Sequence, residues 1–426
     1  MTYIFIIILI LLALLGAPLF SIIILGAMAG FYSSGIDLSA IAIELYRLSD
    51  TPVLLALPLF TLAGYILSES NTSERLVRLT RAFLGWMPGG LAFVAFVICA
   101  FFTAFTGASG VTIVALGALL YPALQQSGYK DKFSLGLVTT SGSLGLLLPP
   151  SLPLILYGVI AQQMNVGEEF ALNDLFVAGI LPALLMVFML SIYSFWANRK
   201  NSIPLTKFSK QEAFSAIKES IFEIPLPFFV LGGIYSGFFI ISEAAAVTAM
   251  YVIIVEVFVY KEISLSKLPV IMRDSMVMVG GILLILGVSL ALTNYIIDIQ
   301  APMKLFEICQ TFVTDKFVFL ILLNIFLLFL GAILDIFSAI IIMVPLILPV
   351  AVSYGINPVH LGIIFLANMQ IGYFTPPVGM NLFIASYRFN KSIVEVYKAT
   401  IPFMLVLLIT LLIITYWPGL SLFFLL

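Results

Sequence analysis

Charge is what this sequence has least of. Of its 426 residues only 9% are Asp, Glu, Lys or Arg, and the mean hydropathy is +1.20. A water-soluble domain carries roughly 25%. The shortage excludes a soluble fold and places the chain in a lipid bilayer with several hydrophobic spans. The net charge of −2 offers nothing to nucleic acid. A single histidine, His360 in the loop-like stretch "GINPVHLG", excludes a His-rich metal centre and a His-based proton chain, and reads as structural. The two cysteines, Cys99 and Cys309, lie far apart in apolar runs and read as small core residues, not a disulfide or metal pair. No GxxxxGK[ST] loop is present, so ATP is not bound by that motif. No series of Asp, Glu and His crosses the apolar runs, which weakens proton coupling. The first 30 residues lack a basic n-region, and their apolar run is too long for a signal peptide, so they read as mature membrane segment.

Apolar runs fill the rest, at 3–30, 51–69, 89–125, 133–163, 172–197, 224–260, 276–299, 316–352, 358–388 and 400–424. The runs 89–125 and 316–352 are too long for one span and are interrupted near their middles, by "TGASG" (Thr106 to Gly110) and by "GAILDIFSA" (Gly331 to Ala339). Each half is short for a crossing. The pattern predicts two re-entrant hairpins, tolerated at that depth only where protein or a wet cavity surrounds the tip. Basic residues agree. Set Arg199, Lys200, Lys207, Lys210 and Lys218 inside, make both long runs hairpins, and make 224–260 two helices. Then all 19 basic residues except Arg47, Lys304 and Lys316 fall on the inner side. On this reading the first hairpin opens inward and the second outward. The side of the N-terminus stays open, since 3–30 is either one Pro18-kinked span or two short helices.

The two broken regions overlay at a shift of 227 positions. Pro122 meets Pro349, Gly128 meets Gly355, Gly145 meets Gly372, and Pro149-Pro150 meets Pro376-Pro377. The expected fold is therefore all-α and polytopic, with two inverted repeats, each a re-entrant helical hairpin followed by a discontinuous helix. That pattern is the mark of secondary transporters. Boundaries follow: N-terminal scaffold helices 1–85, a first transport unit 86–165, scaffold helices 166–312 with an inner loop at 198–222, a second transport unit 313–390, and a C-terminal scaffold helix 391–426.

The breaks carry the chemistry. In "TTSGSLGLLLPP" the prolines remove amide donors and Gly142 and Gly145 loosen the backbone, which leaves carbonyls near 141–146 without helical partners. Ser141, Ser143 and the tip Thr106, Ser109, Gly110 add oxygens. Together they suit a small hard cation. The competing reading of either element is small-residue helix packing with a proline kink. The second half, "NMQIGYFTPPVGMN", offers Asn368, Gln370, Gly372, Thr375 and Asn381, facing a tip with Asp335 and Ser338. Asp335 is either a functional intramembrane acid or a helix cap, and the two roles are compatible. Glu243 reads as a helix cap, Glu256 and Asp298 as solvated span ends, and Asn294 and Asn324 as interhelical hydrogen-bonders. Arg75, Arg78 and Arg81 read as topology determinants. Neutral oxygens around two related breaks favour Na+ over H+.

"TGASGVTIVALGALLYPAL", "SGSLGLLLPPSLPLILYGVIA", "SEAAAV" and "PVHLGIIFLANMQIGYFTPPVGMNLFIAS" resemble the large membrane subunit of tripartite ATP-independent periplasmic (TRAP) transporters, over nearly the whole chain. The resemblance implies a prokaryotic inner-membrane protein of the ion transporter superfamily. It implies Na+-driven uptake of organic acids such as C4-dicarboxylates or sialic acid, by an elevator movement. Two partners are implied: a small four-helix membrane subunit and a periplasmic solute-binding protein. As no small subunit precedes Met1, that partner is expected as a separate chain. By motif, one sodium site is implied around Thr106, Ser109, Gly110, Gly142, Ser143 and Gly145. A second is implied around Asp335, Ser338, Asn368, Gly372 and Thr375. Substrate would lie between them, near Ser109, Ser143, Asn368, Gln370 and Asn381. Gln370 stands where some relatives are expected to carry an acid. No cofactor beyond Na+ is expected. The alternatives are a stand-alone cation-coupled carboxylate symporter or exporter and, far behind, a membrane enzyme.

Overall fold

In hydrocarbon a backbone must satisfy its own amides, and helices do so within one segment. The computed structural model describes residues 8, 9, 11, 12, 15–86, 89–199, 208–376 and 378–425. Among them there is no strand, and eight helices are long and apolar enough to cross a membrane. Lys200, Lys207, Pro377 and much of the run 3–30 lie outside the described residues.

The chain opens with α1 (Leu19–Ser34), which starts after Pro18, then α2 (Ser39–Arg47), α3 (Ala56–Glu69) and a short polar-faced helix α4 (Thr72–Leu84). The run 89–125 is a hairpin, α5 (Gly90–Thr106) and α6 (Ser109–Gln126). Its turn uses Gly107 at φ +64°, where a side chain would be strained. A broken helix follows as α7 (Asp131–Ser141) and α8 (Leu152–Met164), then α9 (Leu172–Asn198). The middle holds α10 (Lys210–Glu219), α11 (Pro225–Tyr235), α12 (Ile241–Ile253), α13 (Leu268–Asp298) and α14 (Ala301–Phe312). The run 224–260 is thus two helices, and Glu243 caps α12 by accepting from the Ile240 amide at 3.1 Å. The second hairpin is α15 (Lys316–Ile333) with α16 (Ile336–Ser353), and the second broken helix is α17 (Pro358–Gly372) with α18 (Met380–Phe389). The chain closes on α19 (Ile393–Tyr416) and α20 (Gly419–Leu422).

The sequence correspondence survives in three dimensions. Helices α6 and α16 each have 18 residues and start and stop at equivalent positions. Gly145 and Gly372, also equivalent, sit on equivalent arms. A Cβ on Gly145 would lie 1.9 Å from the Ala100 carbonyl oxygen and 2.5 Å from the Ala104 nitrogen. A Cβ on Gly372 would lie 2.6 Å from the Gly331 Cα. Packing is reciprocal: α6 lies along α18, and α16 along α8.

Helix α19 is a ruler for direction. At ~1.5 Å per residue its 24 residues span about 36 Å, a membrane thickness. Just before its start, Lys391 pairs with Asp131 at 2.9 Å, beside the mouth of the first hairpin. At its end, Tyr416 donates to the Phe317 carbonyl at 3.0 Å, and Lys316 donates to the Gly355 carbonyl at 2.7 Å, across the mouth of the second. The two mouths therefore lie at opposite ends of α19.

Two helices that the sequence reading placed in the scaffold pack on the hairpins and broken helices. Helix α9 presses Gly179 against the Leu147 carbonyl in the first break, and α19 presses Ala399 against Gly136 of α7. Phe133, Tyr193 and Phe403 then join α7, α9 and α19 through ring contacts at 5.0–5.4 Å between centroids. Helices α1, α3, α12 and α13 form a second layer, α1 on α13 and α12 on α3.

Arg75 does not lie on a solvated helix face. Its guanidinium is buried against Glu223, Glu256 and Glu262 and lies 4.0 Å from the centre of the Tyr260 ring. Glu256, expected to be solvated, is fully buried in this cluster because Arg75 and Thr72 supply its donors. Burial outweighs Arg75 and holds Glu223 above the usual carboxylate range. Arg78 pairs with Glu212 and Glu219, and its hydrogen bonds hold Glu212 below that range. His360 is not in a loop. It sits in the first turn of α17, buried, with Nδ1 2.6 Å from Ser421 Oγ and Nε2 3.2 Å from the Thr415 carbonyl. Cys99 is buried as expected, whereas Cys309 is half-exposed.

Candidate functional site

Both breaks are real interruptions. Helix α7 stops at Ser141, a single tight turn runs over Leu144–Leu147, and Leu148 and Ser151 are extended before α8 begins. In the second, α17 stops at Gly372 and α18 restarts after Gly379 at φ +43°. The first break leaves fewer free carbonyls than its sequence suggests. Gly142 O accepts from Thr103 Oγ1 at 2.9 Å, Ser143 O from the Leu146 amide at 3.2 Å, and Leu146 O from Ser151 Oγ at 2.6 Å. A tight turn and two hydroxyls have re-paired what the prolines release.

Around the first tip the structure gathers Thr103, Thr106, Ser109, Thr112, Gly142 and Asn381. Thr103 Oγ1 lies 2.7 Å from Thr112 Oγ1, and a Cβ on Gly142 would lie 3.2 Å from the Ser109 carbonyl. Ser109 Oγ donates to Asn381 Oδ1 at 2.7 Å, which joins the first hairpin to the second broken helix. Gly110 is half-buried under Ile384. Thr106 Oγ1 and Asn381 Nδ2 are buried with no partner among the described residues.

Between the breaks, Ser143 Oγ donates to the Gln370 carbonyl at 3.1 Å. The Gln370 side chain turns instead to α9, with Nε2 3.2 Å from Met186 Sδ and Oε1 unpartnered.

At the second tip Asp335 caps α16. Its Oδ1 accepts from the Phe337 and Ser338 amides, both at 3.0 Å. Tyr373 Oη accepts from the Ile336 amide at 2.6 Å, and Gly379 N donates to the Ala332 carbonyl at 2.9 Å. Gly372 packs on Gly331, and Thr375 Oγ1 donates back to the Ile371 carbonyl at 2.8 Å. Asn368 is not brought to Asp335 by any hydrogen bond among the described residues. Its Nδ2 donates to Asn324 Oδ1 at 2.7 Å, Asn324 Nδ2 reaches Thr415 Oγ1 at 3.1 Å, and Asn368 Oδ1 is left without a partner. Asn324 thus bridges helices, as its place in an apolar run predicts.

Thr103, Thr112, Tyr373 and Thr415 were not singled out from the sequence. Thr103 and Thr112 carried one available signal, hydroxyls one turn either side of a glycine tip. Tyr373 carried none, since an aromatic in an apolar run reads as packing.

The family model described as "Tripartite ATP-independent periplasmic transporter, DctM component" matches residues 5–420. The C4-dicarboxylate TRAP transporter large permease protein DctM of Rhodobacter capsulatus is 34% identical over 400 residues, covering 92% of this chain and 91% of that protein. The isethionate TRAP transporter permease protein DctMQ of Oleidesulfovibrio alaskensis is 32% identical over 416 residues, covering 96% of this chain and 64% of the longer protein. Among solved structures, the Alcanivorax borkumensis YdaH transporter superposes with a TM-score of 0.62 at 15% identity, covering 86% of this chain and 84% of that one, a likeness of fold.

Proposed function

This chain belongs to the DctM family of TRAP transporters, as a large permease subunit of the inner membrane, and from that premise we propose that it imports an organic acid by Na+-coupled elevator transport. The acid is a small carboxylate of the C4-dicarboxylate or sialic acid kind. A solute-binding protein delivers it, and a small four-helix membrane subunit completes the transporter. The longer DctMQ relative, matched over 64% of its length, has room for such a subunit in one chain.

One observation carries the reading. Two equivalent hairpins open at opposite ends of α19, and each lies along the distal half of the other unit's broken helix. This supports an inverted repeat, the arrangement that presents one site alternately to the two faces. The packing of α9 and α19 supports a moving body of α5 to α9 with α15 to α19, and a scaffold of α1 to α4 with α10 to α14.

Within that body, Thr106, Ser109, Gly110, Gly142, Ser143 and Gly145 form the first cation site. Asp335, Ser338, Gly372 and Thr375 form the second, with Asn368 joining through its free carbonyl oxygen. Ser109, Ser143, Gln370 and Asn381 lie on the substrate side. Hydroxyl and carbonyl oxygens are hard ligands suited to a small cation without ligand deprotonation.

The test is uptake of labelled succinate and sialic acid into proteoliposomes, with and without the small subunit and the binding protein. Uptake that needs both partners supports the tripartite assignment. Undiminished uptake by this chain alone contradicts it and favours a stand-alone symporter.

A further inference from the structure

Helix α10 turns three different faces to its surroundings. Ala213 and Ala216 are buried, on the side that packs on α4. Glu212 and Glu219 turn to Arg78 of α4, which pairs with both. The third face is open. It carries Phe214, 71% exposed, and Ile217, and Ile221 continues it past the end of the helix. At ~100° per residue Lys210 and Lys218 fall beside Phe214 and Ile217, all four within about 100° of arc. Both lysines are exposed and form no ion pair among the described residues. The acids of this helix thus turn inward to a cation, while its free cations border an apolar stripe.

An exposed apolar stripe needs a cover, and the place of α10 in the fold says which. The chain reaches α10 from α9 and leaves it for α11. Trp196, near the end of α9, and Trp86, just after α4, are both exposed, as tryptophans are at a membrane interface. Leu119 of α6 lines one cleft with Arg78 of α4 and with Ser209 and Glu212 of α10. Gln126, which ends α6 at the inner mouth, lies about 10 Å beyond Leu119 along the helix. Helix α10 therefore sits at the level of the inner interface and not out in the aqueous phase. Tyr251 and Tyr260 hold it there, their hydroxyls donating to the Phe222 and Glu219 carbonyls at its end. Past that end the stripe runs on into Phe228 and Phe229, 76% and 50% exposed, on the apolar helix α11.

We propose that α10 lies in the plane of the inner leaflet and binds anionic phospholipid, with Phe214, Ile217 and Ile221 among the acyl chains and Lys210 and Lys218 on the phosphates. A stripe bordered by lysines is the complement of that surface, since lysine stems reach from the apolar level to the headgroups. Helix α10 in turn holds α4 through Arg78, so the lipid contact bears on the helix that leads into the first hairpin. This contact is independent of the solute carried.

The test uses the chain reconstituted with its small subunit in phosphatidylethanolamine vesicles. Cys309→Ser removes the half-exposed thiol, and Cys99 is buried. An environment-sensitive dye on Phe214→Cys reports immersion, and phospholipids brominated on the acyl chain report lipid contact by quenching. The expected result is blue-shifted emission, quenched at least about fivefold more strongly by brominated phosphatidylglycerol than by brominated phosphatidylcholine. Lys210→Gln combined with Lys218→Gln should abolish that preference. Ile217→Cys, labelled in the same way, decides the matter if Phe214→Cys fails to insert. Water-like emission that neither brominated lipid quenches overturns the proposal in favour of a solvated face. Blue-shifted emission without quenching, present only with the small subunit, overturns it in favour of a protein partner. Equal quenching by the two lipids overturns the anionic assignment.

Discussion

Ser143 Oγ donates to the carbonyl of Gln370 at 3.1 Å, and these two residues, 227 apart, occupy equivalent positions in the two halves of the chain. Each half is thus joined to the other at the same point of its own break. Among the described residues, Ser143 to Gln370 is the direct hydrogen bond between the ends of α7 and α17.

Ser143→Ala removes that joint and leaves a buried carbonyl without its donor, a cost of about 1–3 kcal/mol. The expected outcome is a lower melting temperature in detergent and uptake reduced several-fold, with normal membrane insertion. Wild-type melting and uptake would show the contact to be incidental.

Glycine substitutions should sort by what their Cβ meets. Gly145→Ala and Gly372→Ala drive a methyl into hairpin backbone, at 1.9 Å and 2.6 Å. Backbone cannot swing aside, so a loss of about 3 kcal/mol or poor insertion is expected. Gly281 in α13 has nothing within 4 Å, and Gly281→Ala should be neutral or stabilising by up to about 1 kcal/mol. Thermal unfolding of the three variants checks the order.

Asp335 combines a cap with a charge, and substitution can separate them. Asp335→Asn keeps an acceptor for the Phe337 and Ser338 amides and loses only the charge. It should insert and melt like wild type while the Na+ concentration for half-maximal uptake rises about tenfold, a change of about 1.4 kcal/mol. Asp335→Ala loses the cap as well, worth about 1 kcal/mol. Equal Na+ dependence in wild type and Asp335→Asn would confine Asp335 to capping.

Arg75 neutralises buried carboxylates that have no other cation among the described residues. Arg75→Ala strands Glu223 and Glu256 and should cost about 3–5 kcal/mol. Arg75→Lys, a point charge without the planar fork, should recover only part of this. Melting temperatures of the purified variants decide.

Much of this was legible beforehand because glycine and proline act through the backbone. Gly145 and Pro149-Pro150, repeated 227 residues on, mark the two breaks, whereas Pro122 and Pro349 lie inside α6 and α16 and stop neither helix. The hairpin tips fell where "TGASG" and "GAILDIFSA" placed them. Partner choice was not legible. The sequence shows that Asn368 and Asp335 are polar but not that Asn368 faces Asn324 on α15 while Asp335 turns into its own helix. Nor could it show that Glu256, near a span end, would fold in on Arg75, because that pairing joins positions 181 residues apart. The attachment of α9 and α19 to the hairpins is likewise tertiary, set by Gly136 and Gly179 lying flush on neighbouring backbone.

The most direct measurement is acid uptake into proteoliposomes carrying the complete transporter, under an inward Na+ gradient and in choline medium. If oppositely directed breaks hold a cation together with its passenger, uptake rises steeply with external Na+ and falls to background in choline. Equal rates in the two media would contradict the account at its centre.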